Sequence, residues 1–174
     1  MGKKTRWITE TAVTLALLVT LQWITKSLGQ FVTGSCVNFV LSEAVLFAGL
    51  GCGIAAAVFS PFFAFLLGIG PAYLPITFGI SLGNTVLVCI LWLFFRDRDK
   101  AAGILHKICA IGCAAAAKFL VLSVTVTKLI LPALGLAEKQ AAAIGASFSW
   151  PQLITALAGS ALAVVIRPRL HRAS

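Results

Sequence analysis

The sequence predicts an all-α integral membrane protein, a single bundle of six transmembrane helices with both termini cytoplasmic, and three observations predict it. First, the 174 residues are 60% hydrophobic, with a mean hydropathy of +1.02 and only 11% charged residues; a water-soluble domain carries about 25% charged residues. Second, the apolar residues form runs of spanning length, separated by Gly, Pro and clusters of charge. Third, ten of the fourteen Lys and Arg lie at the N-terminus, between Arg96 and Lys107, or in the C-terminal tail. Basic residues gather on the cytoplasmic side of a membrane protein, so these three regions are expected there. The net charge of +9 is thereby explained by orientation in a bilayer, and a nucleic-acid partner is not expected.

The first span is expected over residues 8–25. It follows Lys3, Lys4 and Arg6, and it ends in Trp23 and Lys26, an interfacial tryptophan beside a snorkelling lysine. No small-residue cleavage site follows this run, which is expected to be retained as a helix. Two short runs come next, 37–50 and 54–69, both under the usual minimum of about 17 to 20 residues for a span. Gly49, Gly51 and Gly53 supply a tight turn between them, so the pair is read as two crossings rather than one re-entrant hairpin. The stretch Thr33-Gly34-Ser35 is expected to be irregular, and such backbone near a bilayer must be buried by protein or line a watery cavity. Gly70 to Pro75 is a turn-rich loop. Spans at 76–95, 108–131 and 151–166 complete the single domain; Pro132 and Gly135 end the fifth, a loop holds Glu138 and Lys139, and Trp150-Pro151 opens the sixth.

Polar groups at membrane depth are functional candidates because burying them is costly. They are Asn38, Glu43, Asn84, Lys118 and Gln152. Glu43 lies roughly 9 Å below the outer start of its span and Lys118 roughly 15 Å above the inner start of its own, at 1.5 Å per residue. The two could form a structural ion pair, or one or both could face a substrate cavity. Lys118 and Thr125 share a helix face, with Lys128 on its flank, as do Gln152, Thr155 and Gly159; either stripe could equally be a helix–helix contact. In span one, Ala12 and Ala16, continued by Thr20, form a small-residue strip suited to close approach of another helix, within the bundle or from a partner.

Other chemistries find little purchase. The five cysteines form no paired framework. His106, Cys109 and Cys113 fall on one helical face, but no second ligand pair is near, so packing is preferred to a metal site. No phosphate loop, no zinc-protease motif and no pairing of nucleophile and base is present, so neither a cofactor nor enzymatic activity is expected.

Taken in order, Ala12-x-x-x-Ala16 in span one, Gly83-Asn84 in span four, Lys118 in span five and Trp150-Pro151-Gln152-Leu153 opening span six resemble the substrate-binding S components of energy-coupling factor (ECF) transporters. The resemblance covers nearly the whole chain. It implies a six-helix subunit of the bacterial cytoplasmic membrane that captures a vitamin or related micronutrient from outside. Its partners would be a transmembrane coupling subunit, docked on the Ala12 and Ala16 face, and two cytoplasmic ATPases. The lid would comprise Gln30 to Cys36, Gly70 to Pro75 and the segment before Trp150, over a site lined by Gln30, Asn38, Asn84, Lys118 and Gln152, with Glu43 a further candidate. The chain begins Met-Gly and not Met-His, the start of the metal-uptake branch, so cobalt and nickel are not expected substrates. The rival readings are a self-contained small carrier or channel, coupled to protons through Glu43, and a membrane assembly factor without a ligand.

Overall fold

The computed structural model describes residues 2–96 and 103–170, with side chains of the last helix described as far as Ile166. Asp97 to Lys100, and the side chains of the basic tail from Arg167 to Arg172, lie outside the described residues. All regular structure among the described residues is helical. Helix α1 spans Lys3–Thr25 and runs through a 3-10 turn, Lys26–Leu28, to Gly29. Helix α2 spans Gln30–Glu43 and widens into a π-helical turn, Ala44–Ala48. Helix α3 is Leu50–Leu66 and α4 is Leu74–Phe95. Helix α5 is Ile104–Leu122, continued by a π-helical stretch, Ser123–Ile130, and a last turn, Leu131–Ala133. Helix α6 is Glu138–Ser147 and α7 is Trp150–Leu170.

Among the described residues, five stretches are long and apolar enough to cross a membrane: Lys3–Leu28, Gln30–Ala48, Leu74–Phe95, Ile104–Ala133 and Glu138–Ile166. The chain is accordingly a membrane protein. Helix α3 is apolar but shorter, at 17 residues, or about 25 Å at 1.5 Å per residue. The outside of the bundle matches a lipid environment. Val13, Ile24, Phe59, Phe78, Leu93 and Val165 are all more than half exposed, a distribution that no water-soluble surface of this size sustains.

The structure corrects the expected boundaries in three places. The stretch Thr33-Gly34-Ser35 is not irregular but sits in the second turn of α2, because the reversal after α1 is completed by Gly29 at φ 87°, a conformation open to glycine. Thr33 then turns back and donates from Oγ1 to the Thr25 carbonyl at 2.8 Å, satisfying an acceptor at the end of α1. Counted from Gln30, the second stretch is 19 residues long and not a short span. The turn between α2 and α3 needs only Gly49, at φ 88°, while Gly51 and Gly53 lie within α3. The segment around Glu138 and Lys139, expected as loop, is the start of α6.

Helix α2 packs most extensively on α7, α4 lies between α3 and α5, and α5 closes the ring against α7; α1 sits outside, against α2 and α3. Trp7 reaches Gly51, and His106 Nε2 donates to the Phe94 carbonyl at 2.7 Å, so the start of α1, the α2–α3 turn and the α4–α5 junction share one end of the bundle. The α1–α2 turn, the α3–α4 loop and α6 share the opposite end. Glycines set two of the interhelical distances. A Cβ on Gly159 would stand 2.6 Å from the Phe39 nitrogen and from the Ser35 carbonyl oxygen, and one on Gly34 would meet Thr155 at 3.0 Å. One on Gly83 would fall 2.7 Å from Leu122, and one on Gly79 2.8 Å from Val126.

At Gly159 the α2–α7 contact is therefore with the α2 backbone, which cannot yield as a flexible side chain would. Gly159→Ala is expected to lower stability by about 1–3 kcal/mol through overpacking, read as thermal unfolding in detergent. Gly112→Ala, on a face with nothing within 4 Å, is expected to leave the melting temperature unchanged or raise it slightly.

Candidate functional site

The close approach of α2 to α7, and of α4 to α5, brings three polar side chains from three helices to one point. Lys118, on α5, is 2% exposed and extends its ammonium between α2 and α4. Its Nζ donates to Asn38 Oδ1 at 2.5 Å and to Asn84 Oδ1 at 2.6 Å. Asn38 is itself oriented from the far side: Nδ2 donates to the Gly34 carbonyl at 2.8 Å and to Thr155 Oγ1 at 3.3 Å. Thr155 in turn donates to the Gln152 carbonyl at 3.3 Å, and Gln152 Nε2 to the Ser147 carbonyl at 3.2 Å. Below this network, the Ser42 hydroxyl donates to the Asn38 carbonyl at 2.7 Å and lies 3.0 Å from the Ser160 hydroxyl. A chain of hydrogen bonds thus runs from α5 through α2 into α7. Such buried networks fix side-chain positions because each unmade bond carries a desolvation penalty.

This network forms part of the lining of a cavity of about 290 Å³. Its walls are Val37, Pro61, Phe65, Ile69, Ile80 and Phe148, with Gln22, Gln30, Thr33, Thr77 and Ser147 adding polar groups. Gly70 and Pro71 reach it from the α3–α4 loop and Phe148 from the junction of α6 and α7. Gln140 Nε2 on α6 donates to the Tyr73 hydroxyl at 2.8 Å, tying α6 to that loop. Phe119 and Trp150 stack with ring centroids 5.7 Å apart, joining the start of α7 to α5.

Of the residues singled out in the sequence, Gln30, Asn38, Asn84, Lys118 and Gln152 line this one cavity. Glu43 does not. It lies five residues beyond Asn38, or about 140° around the helix at 3.6 residues per turn, and lines a second cavity of about 420 Å³ between α1 and α2 with Arg6, Glu10, Thr14 and Phe47. Arg6 Nε donates to Glu10 Oε1 there at 2.7 Å. In place of the Glu43 carboxylate, the ion-pair partner that the sequence allows, Lys118 meets two amide oxygens. Thr125 donates to the Val121 carbonyl at 2.6 Å, on the α4 side at Gly79, and Lys128 is exposed. Cys109 and Cys113 are exposed, while His106 is engaged with Phe94. Ala12, Ala16 and Thr20 are all exposed on the outward side of α1.

Gln22 and Thr77 are buried polar cavity residues that the sequence reading missed, and Gln22 is the more informative. Gln22 is buried on α1, and its Oε1 has no hydrogen-bond partner among the described residues. Its place beside Trp23 and near Lys26, which stacks on the Trp23 ring at 3.6 Å, reads as a membrane interface. The signal available was the four-residue spacing from Leu18, a fully buried position. Compared with known proteins, the chain matches no protein-family model, no curated protein and no solved structure.

Asn38 and Asn84 both accept from Lys118, yet their other atoms differ: Asn38 Nδ2 has two acceptors, whereas Asn84 Nδ2 has none among the described residues. In the unliganded protein Asn38→Ala is expected to cost about 1–3 kcal/mol, and Asn84→Ala less, because it also removes an unsatisfied donor. Chemical denaturation of both variants in detergent checks the order; a larger loss for Asn84→Ala contradicts it.

Proposed function

We propose that this chain is the substrate-capture subunit of an ECF-type importer in a bacterial cytoplasmic membrane, crossing the bilayer six times with both termini cytoplasmic. The observation that carries the reading is the cavity. It is enclosed by the loops and helix ends opposite the chain termini, its floor is a buried lysine held by two asparagines, and its volume of about 290 Å³ lies near the lower end of small-molecule sites, roughly 300–1,000 Å³. The sixth crossing in this reading is α3, short enough to need local thinning of the bilayer or shielding by its neighbours.

Capture and movement are separate tasks, and the exposed strip of Ala12, Ala16 and Thr20 serves the second. Small residues let a partner helix approach closely, and without a side chain to bury inside its own bundle the strip is available to one. The partner in this reading is the transmembrane coupling subunit, driven by two ATPases. The chain itself carries no nucleotide-binding motif and is given no catalytic role.

Two outcomes are expected. In liposomes, the chain alone retains bound substrate but does not accumulate it; accumulation against a gradient by the chain alone would instead establish a self-contained carrier. Replacing Ala12 and Ala16 together by Leu is expected to reduce pull-down of the coupling subunit and ATP-driven uptake at least tenfold, with ligand binding by the isolated chain unchanged. Loss of ligand binding in that variant would assign the strip to the protein's own packing.

A further inference from the structure

Two buried polar atoms in the cavity lack partners among the described residues, and they are of opposite kinds. Asn84, 1% exposed, presents an N–H donor at Nδ2 with no acceptor, and Gln22, 8% exposed, presents an acceptor at Oε1 with no donor. A third donor stands beside the first. An ammonium has three N–H groups, and Lys118 uses two of them on Asn38 and Asn84. Both of those partners are neutral amides, so the positive charge is hydrogen-bonded without being neutralised, and Lys118 makes no ion pair among the described residues. A cation in that condition at membrane depth favours an anion over any neutral group. The space around these atoms is apolar, walled by Phe65, Ile80 and Phe148. A cavity of about 150 Å³ holds benzene, so one of about 290 Å³ holds a body of about two rings.

From these atoms we infer that the cavity takes a small organic carboxylate: its acid group accepts from Lys118 and Asn84, its apolar body of one or two rings lies between the aromatic and aliphatic walls, and an N–H or O–H on that body donates to Gln22. The inference rests on the capture reading and narrows it to a substrate class. Asn84 does more than position the lysine, since its free N–H supplies a second donor to the acid. Gln22 acts as the selector for the body, because a buried acceptor left unmatched penalises a ligand without a donor.

The test uses the full-length chain in detergent with benzoate, phenylacetate, indole-3-acetate and 1-naphthylacetate, each beside its primary amide, read by titration calorimetry and thermal shift. At least one acid is expected to bind and to do so at least tenfold more tightly than its amide, with indole-3-acetate, which has a ring N–H, preferred to 1-naphthylacetate. Gln22→Leu is expected to remove that preference. Lys118→Met could fail to fold, so the deciding variant is Asn84→Asp, which keeps an acceptor for Lys118, neutralises it internally and removes the free donor. It is expected to melt no lower than the parent and to lose acid binding at least tenfold. Equal binding of acids and amides, unchanged acid affinity in a folded Asn84→Asp, or no binding of any acid overturns the assignment. Capture itself is judged separately, by uptake with and without the ATPase partners, and stands if a neutral molecule is found in the cavity by native mass spectrometry.

Discussion

A lysine ammonium in the middle of an apolar bundle constrains everything around it. Removing the charge from water is costly, and the cost falls only if polar atoms are fixed within hydrogen-bonding distance. Here the fixing requires three helices. Asn38 must be presented by α2, Asn84 by α4, and Lys118 must reach both from α5. The glycines at 34, 83 and 159 serve that requirement, since a Cβ at Gly83 would crowd α4 against α5, which carries Lys118, and one at Gly34 or Gly159 would crowd α2, which carries Asn38, against α7. The hydrogen bonds leading on to Thr155 and Gln152 extend the same demand into α7. The cavity is thus built into the packing of the bundle rather than attached to it by loops.

Much of this could be read from the residues. Hydropathy alone gives a helical membrane protein, because a spanning helix must be apolar over its whole length. Asn38, Asn84, Lys118 and Gln152 stand out because a polar residue within such a run is rare for an energetic reason, and all four line the same cavity. What stayed hidden was rotational phase and local chain reversal. Depth along a helix suggested that Glu43 and Lys118 could meet, but depth carries no information about which way a side chain faces, and Glu43 belongs to the α1 side of α2. The run of polar and small residues from Thr33 to Ser35 looked like loop because its composition matches one. Its true role is to let α7 in close and to cap α1, and both are tertiary contacts.

The two π-helical turns mark where regular helix geometry and the packing demands conflict. One lies directly after Glu43 and the other begins five residues after Lys118. A wider turn re-phases the residues beyond it, and such turns gather at functional positions in helices. In α2 the widened turn follows the part that faces the cavity and itself packs against α3. In α5 the widened stretch follows the half that carries Lys118 and itself holds Val126, which packs against Gly79.

The backbone contact between α2 and α7 also has a mechanical meaning. Where two helices meet through long side chains, rotamer changes let them slide and breathe. Where they meet atom to atom through Gly34 and Gly159, that compliance is missing, and the pair behaves as a single stiff plank. Asn38 and Thr155 sit on opposite halves of that plank and are bonded across it. Their spacing is therefore preserved under whatever tilting or bending the rest of the bundle undergoes.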